Sequence, residues 1–252
     1  MDKKIEEIGD TLKKYGQEHL LNHYDKLDEK HKKQLIEQIE NIDFALIKSL
    51  YQNANKEEKN EKDEITPIDY LDKYKLNDKY KYYEDLGKRA IKEGKLAAVT
   101  MAGGQGTRLG HNGPKGTYDI GLDSHKSLFE LLCDSLKEEG KKYGVTIPWF
   151  IMTSKENNQA TIEFFEKHKY FGYKKDQNIF FFIQGELPMV DTEGKILVNE
   201  EGLIKLAADG HGGIYESLVK SGMTKKMQHM GINWVFIGGV DNCLVKMVDP
   251  VL

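Results

Sequence analysis

The sequence predicts an α/β fold, a mostly parallel sheet with helices on both faces preceded by an α-helical N-terminal segment, and three observations carry that prediction. Short apolar runs of strand length recur at LAAVTM (96–101), IPWFIMT (147–153), NIFFFIQ (178–184) and NWVFIGGV (233–240). Helical patterns lie between them, over 126–143 and 156–168. Ahead of them, residues 1–94 are dense in Lys, Glu and Asp, with apolar residues spaced as on helices. Continuous apolar strands interleaved with helices are what a parallel sheet buried on both faces requires.

Taken in order, Leu20, Leu21 and Tyr24, then Leu35, Ile36, Ile39 and Ile42, mark amphipathic helices. NANKEEKNEKDEITP (53–67) reads as a polar linker in which a helix ends. Beyond it come further short helices, with Thr66 placed to cap one ahead of Pro67. The texture changes at Lys95, so the sequence divides into a helical region over 1–94 and an α/β domain over 95–252.

Composition narrows the function. The chain has 252 residues, a formal net charge of −4 and 39% hydrophobic residues, enough for one sizeable core and a small second domain. No run approaches the roughly 18 apolar residues of a membrane span. The Met1-Asp2-Lys3-Lys4 start leads into a charged amphipathic pattern, so a cytoplasmic protein is expected. Mild acidity gives no footprint for nucleic acid, and nothing points to a protein partner. Cys133 and Cys243, far apart and in apolar surroundings, read as buried thiols. Trp149, Trp234 and Phe180–Phe182 read as core, and His31, His125 and His168 as surface.

The chemistry concentrates after the first strand, in AGGQGTRLGHNGPKG (102–116). A strand that feeds a glycine-rich turn sets backbone N–H groups at the carboxyl edge of the sheet, where open α/β folds bind ligands. Glycines let a polyanion come close to the chain. No Gly-Lys-Ser/Thr follows at Walker A spacing, and Gly110 falls one residue late for a dinucleotide fingerprint. What remains is a loop carrying Arg108 and Lys115, two cations suited to a triphosphate. A merely tight surface loop is the competing reading.

LAAVTMAGGQGTRLGHNGPKG (96–116) resembles the signature of the UDP-N-acetylglucosamine pyrophosphorylase and UDP-sugar pyrophosphorylase family. Further blocks agree in order: GTYDIGLDSHKSLFELLCDSL (116–136), FFIQGELPMVDTEGKI (181–196), ADGHGGIYESL (208–218) and GVDNCLVKMVDP (239–250). The resemblance covers roughly residues 95–252. It implies a Rossmann-like, GT-A-like nucleotidyltransferase fold, with 95–252 as the nucleotide-binding catalytic domain.

The reaction so implied is transfer of UMP from UTP to a sugar 1-phosphate, N-acetylglucosamine 1-phosphate first, with Mg²⁺ as cofactor. The attacking phosphate oxygen is already an oxyanion, so alignment and charge neutralisation outweigh proton transfer. The resemblance places Ala102, Gly103, Gly104, Gly106 and Thr107 on the nucleotide, with Arg108 and Lys115 as catalytic cations. Gln184 and Gly185 would meet the uracil edge, with Gly210 also on the nucleotide. His211 and Asn242 would face ribose or sugar, and Asp241 would hold the metal, although Asp241-Asn242 also reads as an ordinary turn.

Two departures from the family pattern matter. Ala208-Asp209-Gly210-His211-Gly212-Gly213 has His where the N-acetylglucosamine enzymes have Asn, a feature resembling the UDP-glucose and broad UDP-sugar relatives. VDPVL (248–252) ends before the family's further strands, so the resemblance implies a domain incomplete at its C-terminus, lacking a second metal aspartate and a lysine near the phosphates. A nucleotide-binding module without turnover is therefore the reading of another class, and a helical interaction protein centred on 1–95 a third.

Overall fold

Helix α1 (Asp2–Tyr15) stops at Gly16, whose φ of +68° suits glycine. Helix α2 (Glu29–Glu40) begins under Asp28, whose carboxylate accepts the His31 N–H at 2.8 Å. Helix α3 (Phe44–Ala54) begins in the same way under Asp43, which accepts the Leu46 N–H at 2.9 Å. The helix expected around Leu20–Tyr24 is instead two 3₁₀ turns, Glu18–Leu21 and Tyr24–Lys26. Long-range anchoring explains the difference: the Gln17 side chain donates to Gly194 O and accepts from Ile196 N–H, each at 2.9 Å.

These elements come from a computed structural model that describes residues 2–56, 66–70, 72–76 and 78–251. The middle of the expected linker, 57–65, lies outside the described residues. Thr66 caps no helix, because 66–70 has no regular structure; a 3₁₀ turn, Lys73–Lys75, precedes helix α4 (Asp78–Lys92).

Next come β1 (Leu96–Met101), α5 (Leu128–Tyr143), β2 (Trp149–Thr153), α6 (Asn158–Lys167) and β3 (Ile179–Ile183). Strands β4 (Glu186–Pro188) and β5 (Leu206–Ala208) form a separate antiparallel ribbon. Helices α7 (Ile214–Lys220) and α8 (Met223–His229) lead into β6 (Trp234–Gly239). No helix among the described residues is long and apolar enough to cross a membrane.

The main sheet runs β3-β2-β1-β6, and all its neighbours are parallel. One face packs Trp149, Ile151 and Ala98 against Phe129, Leu132 and Phe165 of α5 and α6. The other sets Phe150, Met152 and Phe180 against Ile214 and Leu218 of α7 and Met227 of α8. Trp149 is fully buried, and its indole N–H donates to Thr100 Oγ1 at 2.7 Å. Trp234 departs from the core reading: it opens an edge strand and is 62% exposed.

Contacts divide the chain into two units, Met1–Pro67 with Glu186–Ala208, and Ile68–Gly185 with Asp209–Leu252. The division does not run at 94/95. Ile91 of α4 joins the core of the α/β sheet, while Ile196, Leu203 and Ile204 of the later segment join Leu12, Leu35 and Ile39. Local charge and periodicity record neither allegiance.

Candidate active site

Three strands of the main sheet deliver a candidate site segment at their carboxyl ends: Ala102 onward from β1, Gln184-Gly185 after β3, Asp241-Asn242 after β6. From β1 the chain moves outward to β2 and β3, then returns to place β6 on the other side of β1. The strand order reverses between β1 and β6, and the carboxyl ends of strands at such a switch point are the usual ligand position in open sheets of this kind.

The glycine-rich loop is held by its own backbone. Gly106 N–H donates to Gly113 O at 2.9 Å, and Lys115 N–H to Gly104 O at 3.0 Å. His111 packs against Gly106, where a Cβ would lie 2.8 Å from its ring, and His111 Nε2 lies 2.7 Å from Thr117 Oγ1. Gly116 admits no side chain, since a Cβ there would overlap the Phe129 ring. Among the described residues the N–H groups of Gly103, Gln105, Thr107 and Arg108 donate to no protein acceptor, so they are available to an anion.

The segments converge. A Cβ on Gly103 would overlap the carboxamide of Gln184, so this glycine and the end of β3 touch directly. Lys115 Nζ lies 3.3 Å from Asp241 Oδ2 and close to Gly104, which joins the loop after β1 to the segment after β6. Asp209 sits between Gly185 and Gly213, whose Cβ positions its carboxylate occupies. Asp209 N–H donates to Gly185 O at 3.1 Å, and Gly185 N–H to Ser217 Oγ at 3.0 Å. Burial pushes the Asp209 carboxyl above its ordinary range, and its Oδ1 has no hydrogen-bond partner among the described residues. Gly210, at φ +76°, turns the chain into the 3₁₀ turn His211–Gly213. Arg108, His211 and Asn242 are exposed and enter none of these contacts, and Ala102 is buried beneath the loop.

Sequence reasoning missed Asn157, which is fully buried and donates through Nδ2 to Ala102 O at 2.9 Å and Gly104 O at 3.3 Å. The signal was the spacing Ser154-x-x-Asn157 directly after a strand, a variant of the capping box. A cavity of about 550 Å³, lined in part by Lys137, Lys141, Thr146, Gly172 and Lys174, lies at the amino ends of β2 and β3 and holds none of the expected residues. The C-terminal end of α5 faces that edge, where the helix dipole disfavours an anion.

Residues 43–252 match the family described as UTP–glucose-1-phosphate uridylyltransferase. UDP-N-acetylglucosamine diphosphorylase 2 of Arabidopsis thaliana is 37% identical over 96% of this chain and 51% of its own length. The UDP-N-acetylglucosamine pyrophosphorylase of Saccharomyces cerevisiae is 38% identical, over 96% of this chain and 51% of its own. Thus the chain spans about half the length of the curated relatives it matches. In fold it is similar to the uridine diphosphate N-acetylglucosamine pyrophosphorylase of Trypanosoma brucei, with a TM-score of 0.76, 28% identity and coverage of 100% of this chain and 54% of that one. The strand-end convergence of the glycine loop, Gln184 and Asp241, together with these matches, places the chain in the UTP–glucose-1-phosphate uridylyltransferase family.

Proposed function

We propose that the protein transfers UMP from UTP to a sugar 1-phosphate, with N-acetylglucosamine 1-phosphate as the preferred acceptor, and releases pyrophosphate. The observation that carries the reading is the meeting of unbonded loop amides, Lys115 and Asp241 above β1 and β6. The names of the Arabidopsis and yeast relatives support the acceptor.

The sugar phosphate oxygen attacks the α-phosphorus of UTP, and the bond to the β-phosphate oxygen breaks. Neither step requires a proton to move, so the residues act by alignment and charge. The unbonded amides of Gly103, Gln105 and Thr107 receive the polyphosphate, and Gly106 keeps the turn close. Arg108 takes up charge growing on pyrophosphate, and Lys115 charge on the transferred phosphoryl group. Gln184 and Gly185 read the uracil edge beside Gly103. Gly210 allows the chain near the nucleoside, and His211 and Asn242 face ribose and sugar.

Among the described residues no three His, Cys, Asp or Glu side chains gather to hold a metal. Magnesium ordinarily takes one or two carboxylates plus substrate phosphates, and the exposed carboxylate of Asp241 fits that donor set. When bound with UTP, the ion would neutralise phosphate charge. Both cysteines are free, which supports a reducing, cytoplasmic setting.

His211 favours a second reading, a glucose 1-phosphate or broad UDP-sugar enzyme. Pyrophosphate release from UTP with each sugar phosphate tests both. Faster release with N-acetylglucosamine 1-phosphate supports the first reading, and the reverse order the second. UTP binding with no release from either sugar phosphate would leave a nucleotide-binding module.

A further inference from the structure

Asn157 has three hydrogen-bonding tasks at once. Its Oδ1 accepts the Ser154 N–H at 2.9 Å, its own N–H donates to Ser154 Oγ at 3.1 Å, and its Nδ2 holds the carbonyls of Ala102 and Gly104. The first two fix the approach to α6. The third reaches across to the glycine loop, where the Gly104 carbonyl also accepts the Lys115 N–H. In a trans peptide the C=O and the following N–H point in opposite directions. Holding the Ala102 and Gly104 carbonyls toward Asn157 therefore turns the N–H groups of Gly103 and Gln105 away from it.

Those two amides are among the loop donors that find no protein acceptor among the described residues. Without the carboxamide the Gly104 carbonyl would keep the Lys115 N–H, but the Ala102 carbonyl, on a peptide shared with Gly103 that rotates easily, would be free to face an incoming anion and repel it. We propose that Asn157 is a positioning residue for the polyphosphate loop. It holds two carbonyls back, aims the Gly103 and Gln105 amides at phosphate, and through Gly104 fixes the backbone of Lys115. The proposal rests on the reading that this loop takes UTP.

The test compares UTP with uridine, which lacks the phosphates, by titration of the unaltered protein and three variants. Asn157→Asp keeps the shape and the acceptor for Ser154 but replaces the donor by an oxygen. Asn157→Ala removes the donor without adding charge. Ser154→Ala weakens the cap and leaves the donor. We expect UTP affinity to fall about a hundredfold in Asn157→Asp and about tenfold in Asn157→Ala, with uridine affinity unchanged within about twofold. Ser154→Ala should lower the melting temperature and leave the UTP-to-uridine ratio alone. If Asn157→Asp does not fold, Asn157→Ala carries the comparison. Equal losses for both ligands, unchanged UTP affinity, or the same shifted ratio in Ser154→Ala would overturn the positioning role. Unaltered protein that binds UTP no better than uridine would overturn the reading of the loop itself.

Discussion

Lys115 Nζ lies 3.3 Å from Asp241 Oδ2, although 126 residues separate them in sequence. The side chains are 28% and 63% exposed, so the pair contributes little to stability, about 0–1 kcal/mol. Its position, where β1 and β6 end, argues for work on a ligand. We expect Lys115→Ala to lower turnover by about 10²-fold while the melting temperature moves by no more than a few degrees. Steady-state kinetics beside thermal denaturation check this, and a large stability loss with retained turnover would contradict it.

Gly103 and Gln184 form the second relationship open to test. A methyl on Gly103 would overlap the end of the Gln184 side chain, a group able to swing aside, so the fold should survive Gly103→Ala. The Gln184 carboxamide, proposed above to read the base, would be displaced. We expect Gly103→Ala and Gln184→Ala each to erode the preference for UTP over CTP by about tenfold or more. The double variant should be little worse than either, because both remove the same contact. Additive losses in the competition assay would count against a shared role.

Gly87 tests the packing of α4. Replacing glycine by alanine inside a helix ordinarily stabilises by about 0.5–1 kcal/mol. Here the added methyl would overlap the carbonyl oxygen of Pro250, a backbone atom that cannot easily yield. Steric overlap outweighs propensity, so Gly87→Ala should destabilise by about 1–3 kcal/mol in denaturant unfolding. A gain in stability would show that α4 does not pack on that segment.

Asp249 supplies a pH dependence. Burial raises its carboxyl, but the Lys73 ammonium at 2.6 Å and the Val251 N–H outweigh that effect and leave it below the ordinary value. A depressed carboxylate stabilises the fold above its unfolded pKa of about 3.8, and that stability is lost as pH falls through the lower folded value. Lys73→Ala should therefore cost about 1–2 kcal/mol at pH 7 and progressively less below pH 4. A difference independent of pH would assign the effect to packing.

The sheet was legible because parallel strands buried on both faces leave continuous apolar runs. Leu96–Met101 is β1 without adjustment, and the runs at 147–153, 178–184 and 233–240 contain β2, β3 and β6. What was not legible depends on distant partners. Gln17 turns the chain through Gly194 and Ile196, and a local periodicity at Leu20–Tyr24 cannot report that. β4 and β5 are too short to show a pattern. At the candidate site, the glycines and Lys115 stand out in the sequence by type and spacing, whereas Arg108, picked out in the same way, enters none of the contacts there. Asn157 is an ordinary polar residue in sequence, and only its burial beneath the loop shows what it holds.

The structure of the protein with UTP bound tests the central claim most directly. We expect phosphate oxygens within hydrogen-bonding distance of the Gly103 N–H and Lys115 Nζ, with uracil against Gln184 and Gly185. UTP seated instead at the amino ends of the strands, in the cavity beside Lys137 and Lys174, would contradict the account.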